Sequence, residues 1–198
     1  WSDFSTIRDF YNKGHSLDKT VVVGHFPIRN YHTNDHLNHA ILVDEEKKII
    51  AIDGGNQLDE DGQLNGLMIV KNQEEYCYEL FEVDEFIEKT IECDFVAVER
   101  EQYNVSWPYW NLKVIEKSEH FSRCSIEGLI EVDEVTLKNE YIDEKNQQLI
   151  KYHSTELLSV KKGDCIKIVD DTCGEYVYVK KAGVLGWVPR YCFYNQTS

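Results

Sequence analysis

Val21-Val22-Val23-Gly24-His25-Phe26-Pro27 is the stretch on which the reading of this chain turns. Three successive valines predict a strand buried on both faces, and the residues just past such a strand lie where α/β proteins tend to place their chemistry. Gly24 permits a sharp turn, Pro27 stiffens the exit, and His25 is then presented between them as an imidazole on a rigid stem. Outward from it, Ile49-Ile50-Ala51-Ile52 is a second strand-like run. It ends in Asp53-Gly54-Gly55, again a polar group followed by permissive backbone. A third run, Leu67-Met68-Ile69-Val70, follows the turn Asp59-Glu60-Asp61-Gly62 and the segment Gln63-Leu64-Asn65-Gly66.

Taken in order, strand-Gly-His-x-Pro, strand-Ile-Asp-Gly-Gly and Gly-Gln-Leu-Asn-Gly-strand resemble the C-terminal end of the calcineurin-like metallophosphatases. The likeness is closest to the bacterial serine/threonine protein phosphatases and the symmetrical dinucleoside-tetraphosphatases, and it spans residues 1–70. It implies that His25 is a terminal ligand to one of two divalent metals, manganese or similar, with Gly24 and Pro27 shaping its turn. The family's earlier Asp-x-His, Gly-Asp-x-x-Asp and Gly-Asn-His motifs do not occur in this sequence. Two-metal phosphoryl hydrolysis needs bridging oxygens, a metal-activated hydroxide and charge stabilisation on the leaving oxygen, of which one histidine supplies almost none. The resemblance, with a chain that opens at Trp1-Ser2-Asp3-Phe4, therefore leads to the expectation of a C-terminal part of a longer phosphoesterase. The intact protein would hydrolyse phosphoproteins or dinucleoside polyphosphates, and this part alone would be inactive.

The net charge of −15, from 36 acidic against 21 basic residues, argues against nucleic acid, which needs a basic stripe to displace counterions from phosphates. Acidic clusters such as Glu82-Val83-Asp84-Glu85 and Glu131-Val132-Asp133-Glu134 read as solvated faces and turns. Asp59-Glu60-Asp61 lacks the ligand spacing of a calcium loop and reads as an exposed turn. No apolar run approaches the ~20 residues of a membrane helix and no secretory leader is visible, so a cytoplasmic location is expected. Cys77, Cys93, Cys124, Cys165, Cys173 and Cys192 are scattered singly, without Cys-x-x-Cys spacing, and read as reduced core thiols rather than a disulfide framework.

Beyond Val70 apolar residues recur at short intervals with β-branched and aromatic enrichment, the pattern of short antiparallel strands. Residues 82–90 suggest a brief helix. Residues 95–98, 112–115, 128–132 and 135–137 suggest strands of a small β domain. Glu156 to Val169, then Gly183-Val184-Leu185-Gly186-Trp187-Val188-Pro189, resemble a Src-homology-3-like barrel. Strand alternation sets Cys165, Lys167 and Val169 against Ile166, Ile168 and Asp170. The fold class expected is mainly β, within α+β. Closing strands of a metallophosphatase β-sandwich would occupy residues 1–80, a small β domain or degenerate barrel 81–148, and the Src-homology-3-like barrel 149–198.

The competing reading is a non-catalytic module in which that barrel binds a proline-rich peptide through Tyr152, Tyr176, Trp187 and Pro189. Against it, the opening aromatic motif is incomplete, Tyr176 and Tyr178 replace an expected tryptophan, and Tyr191 is displaced by one position. His32, His36 and His39 read as parts of a solvated loop rather than a second metal site, with substrate-facing contacts a secondary reading. His15, His120 and His153 read as surface residues. Asp53 either orients His25 across neighbouring strands or caps its own turn with Gly54. Asn65 either serves turn chemistry or packs on the sheet. Trp107-Pro108-Tyr109-Trp110 reads as an interface or a core corner, with an interface between the barrel and the phosphatase-like part preferred. A sheet lacking its other half should leave open edges and apolar faces, so association with the missing N-terminal half, with a second copy, or with a partner is expected.

Overall fold

A computed structural model describes residues 4–31, 39–73, 75–97, 104–105, 107–129, 133–151, 153–154 and 157–194. The described residues are mainly β, with several small sheets and one short α-helix among them. It divides into two compact units, Trp1–Glu85 with Ala182–Val184, and Phe86–Lys181 with Leu185–Ser198.

In the first unit helix α1 (Phe4–Lys13) ends where Gly14, at φ +69°, donates its amide to Phe10 O at 2.9 Å. A left-handed residue just past the last turn is the usual way to satisfy a terminal carbonyl. Strands β1 (Val21–Val23), β2 (Leu42–Asp44) and β3 (Ile49–Ala51) form a sheet in the order β1-β3-β2. β1 runs parallel to β3, with Val21 opposite Ile49 and Val23 opposite Ala51, and β2 is antiparallel to β3. The expectation that the three valines are buried on both faces is corrected: Val22 is exposed and its neighbours half-buried, whereas Ile49, Ile50 and Ala51 are all buried. β3 lies between two neighbours and β1 has only one, so the central strand carries the continuous apolar run. Tyr11 of α1 donates to Asp44 Oδ2 at 3.0 Å and packs edge-on against Tyr31.

Strands β4 (Leu64–Asn72) and β5 (Glu75–Val83) make a long antiparallel hairpin with Leu64 opposite Val83 and Asn72 opposite Glu75. Only its base is covered: Asn65 is buried, and every residue of β5 is exposed.

In the second unit β6 (Ile87–Thr90) stands where a short helix is expected over residues 82–90. It pairs antiparallel with β14 (Cys165–Asp170), Thr90 opposite Cys165 and Ile87 opposite Ile168. A nine-residue stretch cannot sustain a helix by propensity alone, and the free edge of β14 decides its conformation. With β15 (Tyr176–Lys181) and β16 (Val184–Pro189) these strands form the sheet β16-β15-β14-β6. A second sheet, β10-β9-β8, comprises β8 (Leu112–Lys117), β9 (Phe121–Ile126) and β10 (Val135–Lys138). Four short strands complete the described set: β7 (Asn104–Val105) pairs with β13 (His153–Ser154), and β11 (Ile142–Asp143) with β12 (Gln148–Leu149).

One core gathers Leu112, Cys124, Ile126, Val135, Leu137 and Leu149, with Tyr109 packed against it. This puts Tyr109 of the Trp-Pro-Tyr-Trp stretch at a core corner of the second unit, while Trp110 is exposed. A second core gathers Ile91, Val160, Ile166, Val177, Val179 and Val188, and a third Tyr178, Leu185 and Trp187. The simple alternation expected along β14 breaks, because its register with β15 shifts between Ile168 and Asp170. Ile166 and Ile168 pack in the second core and Val169 in the third. An irregularity of this kind re-aims the side chains that follow it.

Candidate functional site

The ends of β1 and β3 lie side by side. Ile52 donates to Val23 O at 3.0 Å, and Ile28 donates to Asp53 O at 2.9 Å, so the Gly24-His25 and Asp53-Gly54 turns leave the same edge of a parallel pair. His25 is exposed and carries the left-handed backbone itself, at φ +66°. Gly24, expected to provide the sharp turn, is not the residue with positive φ, and a Cβ there would meet nothing within 4 Å. A non-glycine residue held at positive φ stores backbone strain of about 1 kcal/mol or more, tolerated where the surroundings fix it.

Those surroundings are buried. Phe26, Pro27 and the 3-10 turn Ile28–Tyr31 are all buried, and Phe26 meets Tyr31 edge-on. Burial, and then the charge of Asp53, pushes the Tyr31 hydroxyl well above its usual range. Arg29, whose side chain is 4% exposed, pairs with Asp59 and lies 3.7 Å from Asp61 Oδ1. Asp61 Oδ1 also lies 3.2 Å from Nε2 of His39, a fully buried imidazole, in an electrostatic contact that lacks hydrogen-bond alignment. The His39 carbonyl is clamped by two side-chain amides, Gln63 Nε2 at 3.1 Å and Asn65 Nδ2 at 2.7 Å, and Gln63 Nε2 also donates to Asn65 Oδ1.

Two expectations are thereby corrected. Asp59-Glu60-Asp61 is not a wholly exposed turn, since Asp61 is buried and Asp59 is drawn onto the Arg29 guanidinium. His39 is not part of a solvated loop; His32 and His36 lie outside the described residues. For Asp53 the turn role is present: its Oδ1 accepts the Gly55 amide at 3.0 Å. Asn65 acts by packing and hydrogen bonding at the base of β4. Gly54 is tightly enclosed, because a Cβ would fall 2.5 Å from Gln63 O and 2.8 Å from Asn65 Nδ2.

Arg29, His39, Asp61 and Gln63 are the residues that sequence reasoning misses. One signal was available: Gln63 and Asn65 stand two apart at the start of a strand-like run and so share a face. The arrangement gives an exposed imidazole whose loop is anchored four residues later by a buried guanidinium. The described residues do not by themselves fit a pair of divalent ions, for among them no group of three His, Cys, Asp or Glu side chains comes together.

The aromatic residues considered for a peptide groove are placed differently. Trp187 is 4% exposed and packs at 5.2 Å on Phe121 and 4.8 Å on Tyr178. Pro189 is buried, Tyr176 is half-buried, and Tyr152 lies outside the described residues. Among the described residues no helix is long and apolar enough to cross a membrane. No family model, curated protein or solved structure matches this chain.

Proposed function

We propose that the first unit is one part of a metallophosphatase-type phosphoesterase, with His25 as a terminal metal ligand and the remaining ligands supplied from outside this sequence. The supporting observation is the parallel β1–β3 pair, which sets the His25 turn beside the Asp53 turn over a buried anchor. In this reading the intact enzyme is a cytoplasmic hydrolase acting on phosphorylated protein or dinucleoside polyphosphate, and two divalent ions such as manganese would supply its nucleophile and charge stabilisation. Pro27, Asp53, Gly54 and Asn65 support the His25 loop, to which Gly24 is only the exposed stem, and the chain alone is inactive. The exposed β4–β5 hairpin is the surface through which the missing part, or a second copy, attaches. The second unit contains a Src-homology-3-like barrel, and the burial of Trp187 and Pro189 supports a structural rather than a peptide-binding role for it.

The test begins with the product isolated from its source cells. Its intact mass should exceed 23.2 kDa, and it should hydrolyse p-nitrophenyl phosphate with manganese. His25→Ala in that product should lower the activity by roughly 100-fold or more, as loss of a ligand does. A mass equal to this chain, or a His25→Ala variant with full activity, overturns the proposal.

A further inference from the structure

The cysteines are scattered in sequence, yet the fold brings two of them together. Cys93 follows β6, and Cys192 lies in the 3-10 turn Arg190–Phe193 at the other end of the second unit. Glu92 donates its amide to Cys192 O at 2.7 Å, which brings the two short segments into direct backbone contact. Both residues belong to the core around Ile91, Val177 and Val188, Cys192 fully buried and Cys93 half-buried at its margin. The two side chains are close enough that Cys93, after burial, adds to what holds the proton on the Cys192 thiol. The other four thiols are differently situated: Cys77 and Cys165 are exposed, the latter bonded to Glu88, and Cys124 and Cys173 are buried.

We infer that Cys93 and Cys192 are a redox-sensitive pair, reduced in the structure described and converted by a hydroperoxide into a disulfide that ties the first strand of the second unit to its last turn. The two thiols have separate roles because their surroundings differ. Burial, and then the neighbouring Cys93, pushes Cys192 up to about 12, so it stays protonated and does not meet the oxidant first. Cys93 is the thiol within reach of solvent. Its sulfur, having released its proton, attacks the peroxide O–O bond; the sulfur takes the hydroxyl to become a sulfenic acid, and the other oxygen leaves with the released proton as water or alcohol. The adjacent Cys192 sulfur then attacks the sulfenic sulfur. The S–S bond forms as the S–O bond breaks, and the Cys192 proton leaves with the hydroxyl as water. Two thiols lose two electrons in all, and the peroxide gains them.

The bond would enclose the whole stretch from residue 93 to residue 192, nearly all of the second unit. Cross-links that close long loops act mainly by restricting the unfolded chain, so the oxidised form should be the more heat-resistant one.

The experiment treats the full chain with hydrogen peroxide, quenches it, and maps peptides by mass spectrometry without reduction. The expected result is a Cys93–Cys192 linked peptide lighter by two hydrogens, with a thermal midpoint higher by roughly 10 °C that reverts with dithiothreitol. Cys93→Ser should abolish both effects while leaving the reduced protein folded. Because replacing Cys192 puts a hydroxyl into the core, the second variant is instead Cys77→Ser with Cys165→Ser, which should keep the link. Oxidation that ends in sulfinic or sulfonic acid at Cys93, or links only through Cys77 or Cys165, overturns the inference.

Discussion

Lys138 ends β10 with a side chain only 4% exposed, and its charge is answered at once. Its Nζ donates to Asp170 Oδ2 at 2.6 Å, and Asp170 also accepts from the Tyr141 hydroxyl and from the amide and hydroxyl of Thr172. Burial raises the Asp170 carboxyl, but these donors, Lys138 first, hold it far below its ordinary 3.8. For Lys138, burial pulls down, and the bonds to Asp170 and Glu140 win and raise it above 10.5. In acid the unfolded chain takes up the proton that native Asp170 refuses. This contribution to stability is therefore complete above pH 3.8 and disappears as the pH falls below it. The Lys138 contribution runs the other way, complete below pH 10.5 and lost as the pH climbs past it. Lys138→Met would leave the Asp170 carboxylate without its cation, held only by the Tyr141 and Thr172 donors, at a cost of about 3 kcal/mol. Urea denaturation across pH should show this loss near neutrality together with a shallower acid limb. An acid limb identical to that of the parent chain would remove Asp170 as its source.

At the scale of elements, two glycines make opposite predictions. A Cβ on Gly62 would fall 2.2 Å from Gly55 O, inside the turn that sets Asp59 and Asp61 against Arg29. Nothing lies within 4 Å of a Cβ on Gly24. Gly62→Ala should therefore destabilise the first unit by on the order of 2 kcal/mol, and Gly24→Ala should leave it nearly unchanged, as read by urea midpoints. Equal midpoints for the two variants would mean that the 55–62 turn yields without disturbing the anchor. The contrast also shows what was legible. β3 announced itself because Ile49-Ile50-Ala51 is an uninterrupted apolar run, and β1 was found for the same reason although it is an edge. The Asp53 turn followed from the chemistry of Asp-Gly-Gly. The anchor beneath His25 was hidden, because Arg29, His39 and Asp61 meet only through the fold, and each alone resembles an ordinary surface residue. Helix α1 is legible in the residues themselves, since Phe4, Ile7, Phe10 and Tyr11 recur at helical spacing behind Ser2-Asp3, while its packing through Tyr11 on Tyr31 is a tertiary fact. β6 reads as helix in the sequence because the strand that pairs with it, β14, is distant along the chain, Thr90 meeting Cys165 and Ile87 meeting Ile168.

For the whole molecule the β4–β5 hairpin is the feature least able to stand alone. Ile69, Tyr76, Leu80, Phe81 and Val83 are each more than 45% exposed, on strands of nine residues apiece. An isolated two-stranded hairpin is marginal in water, and long apolar strands with open edges are templates for pairing with another chain. The charges divide unequally between its strands. From Leu64 to Val70 β4 carries none, whereas β5 carries Glu75, Glu79 and Glu82. Two copies meeting through β4 in antiparallel register would oppose no like charges directly, which makes self-association the expected behaviour of the chain when nothing else covers it. Sedimentation velocity over a range of concentrations should show dimers or larger species. Ile69→Lys, which places a charge in the middle of the β4 run, should shift the population toward monomer without moving the urea midpoint of the second unit, since that unit has its own cores. A chain that is monomeric at every concentration, with Ile69→Lys indistinguishable from it, would show that the hairpin tolerates water and that no partner is needed to explain its exposure.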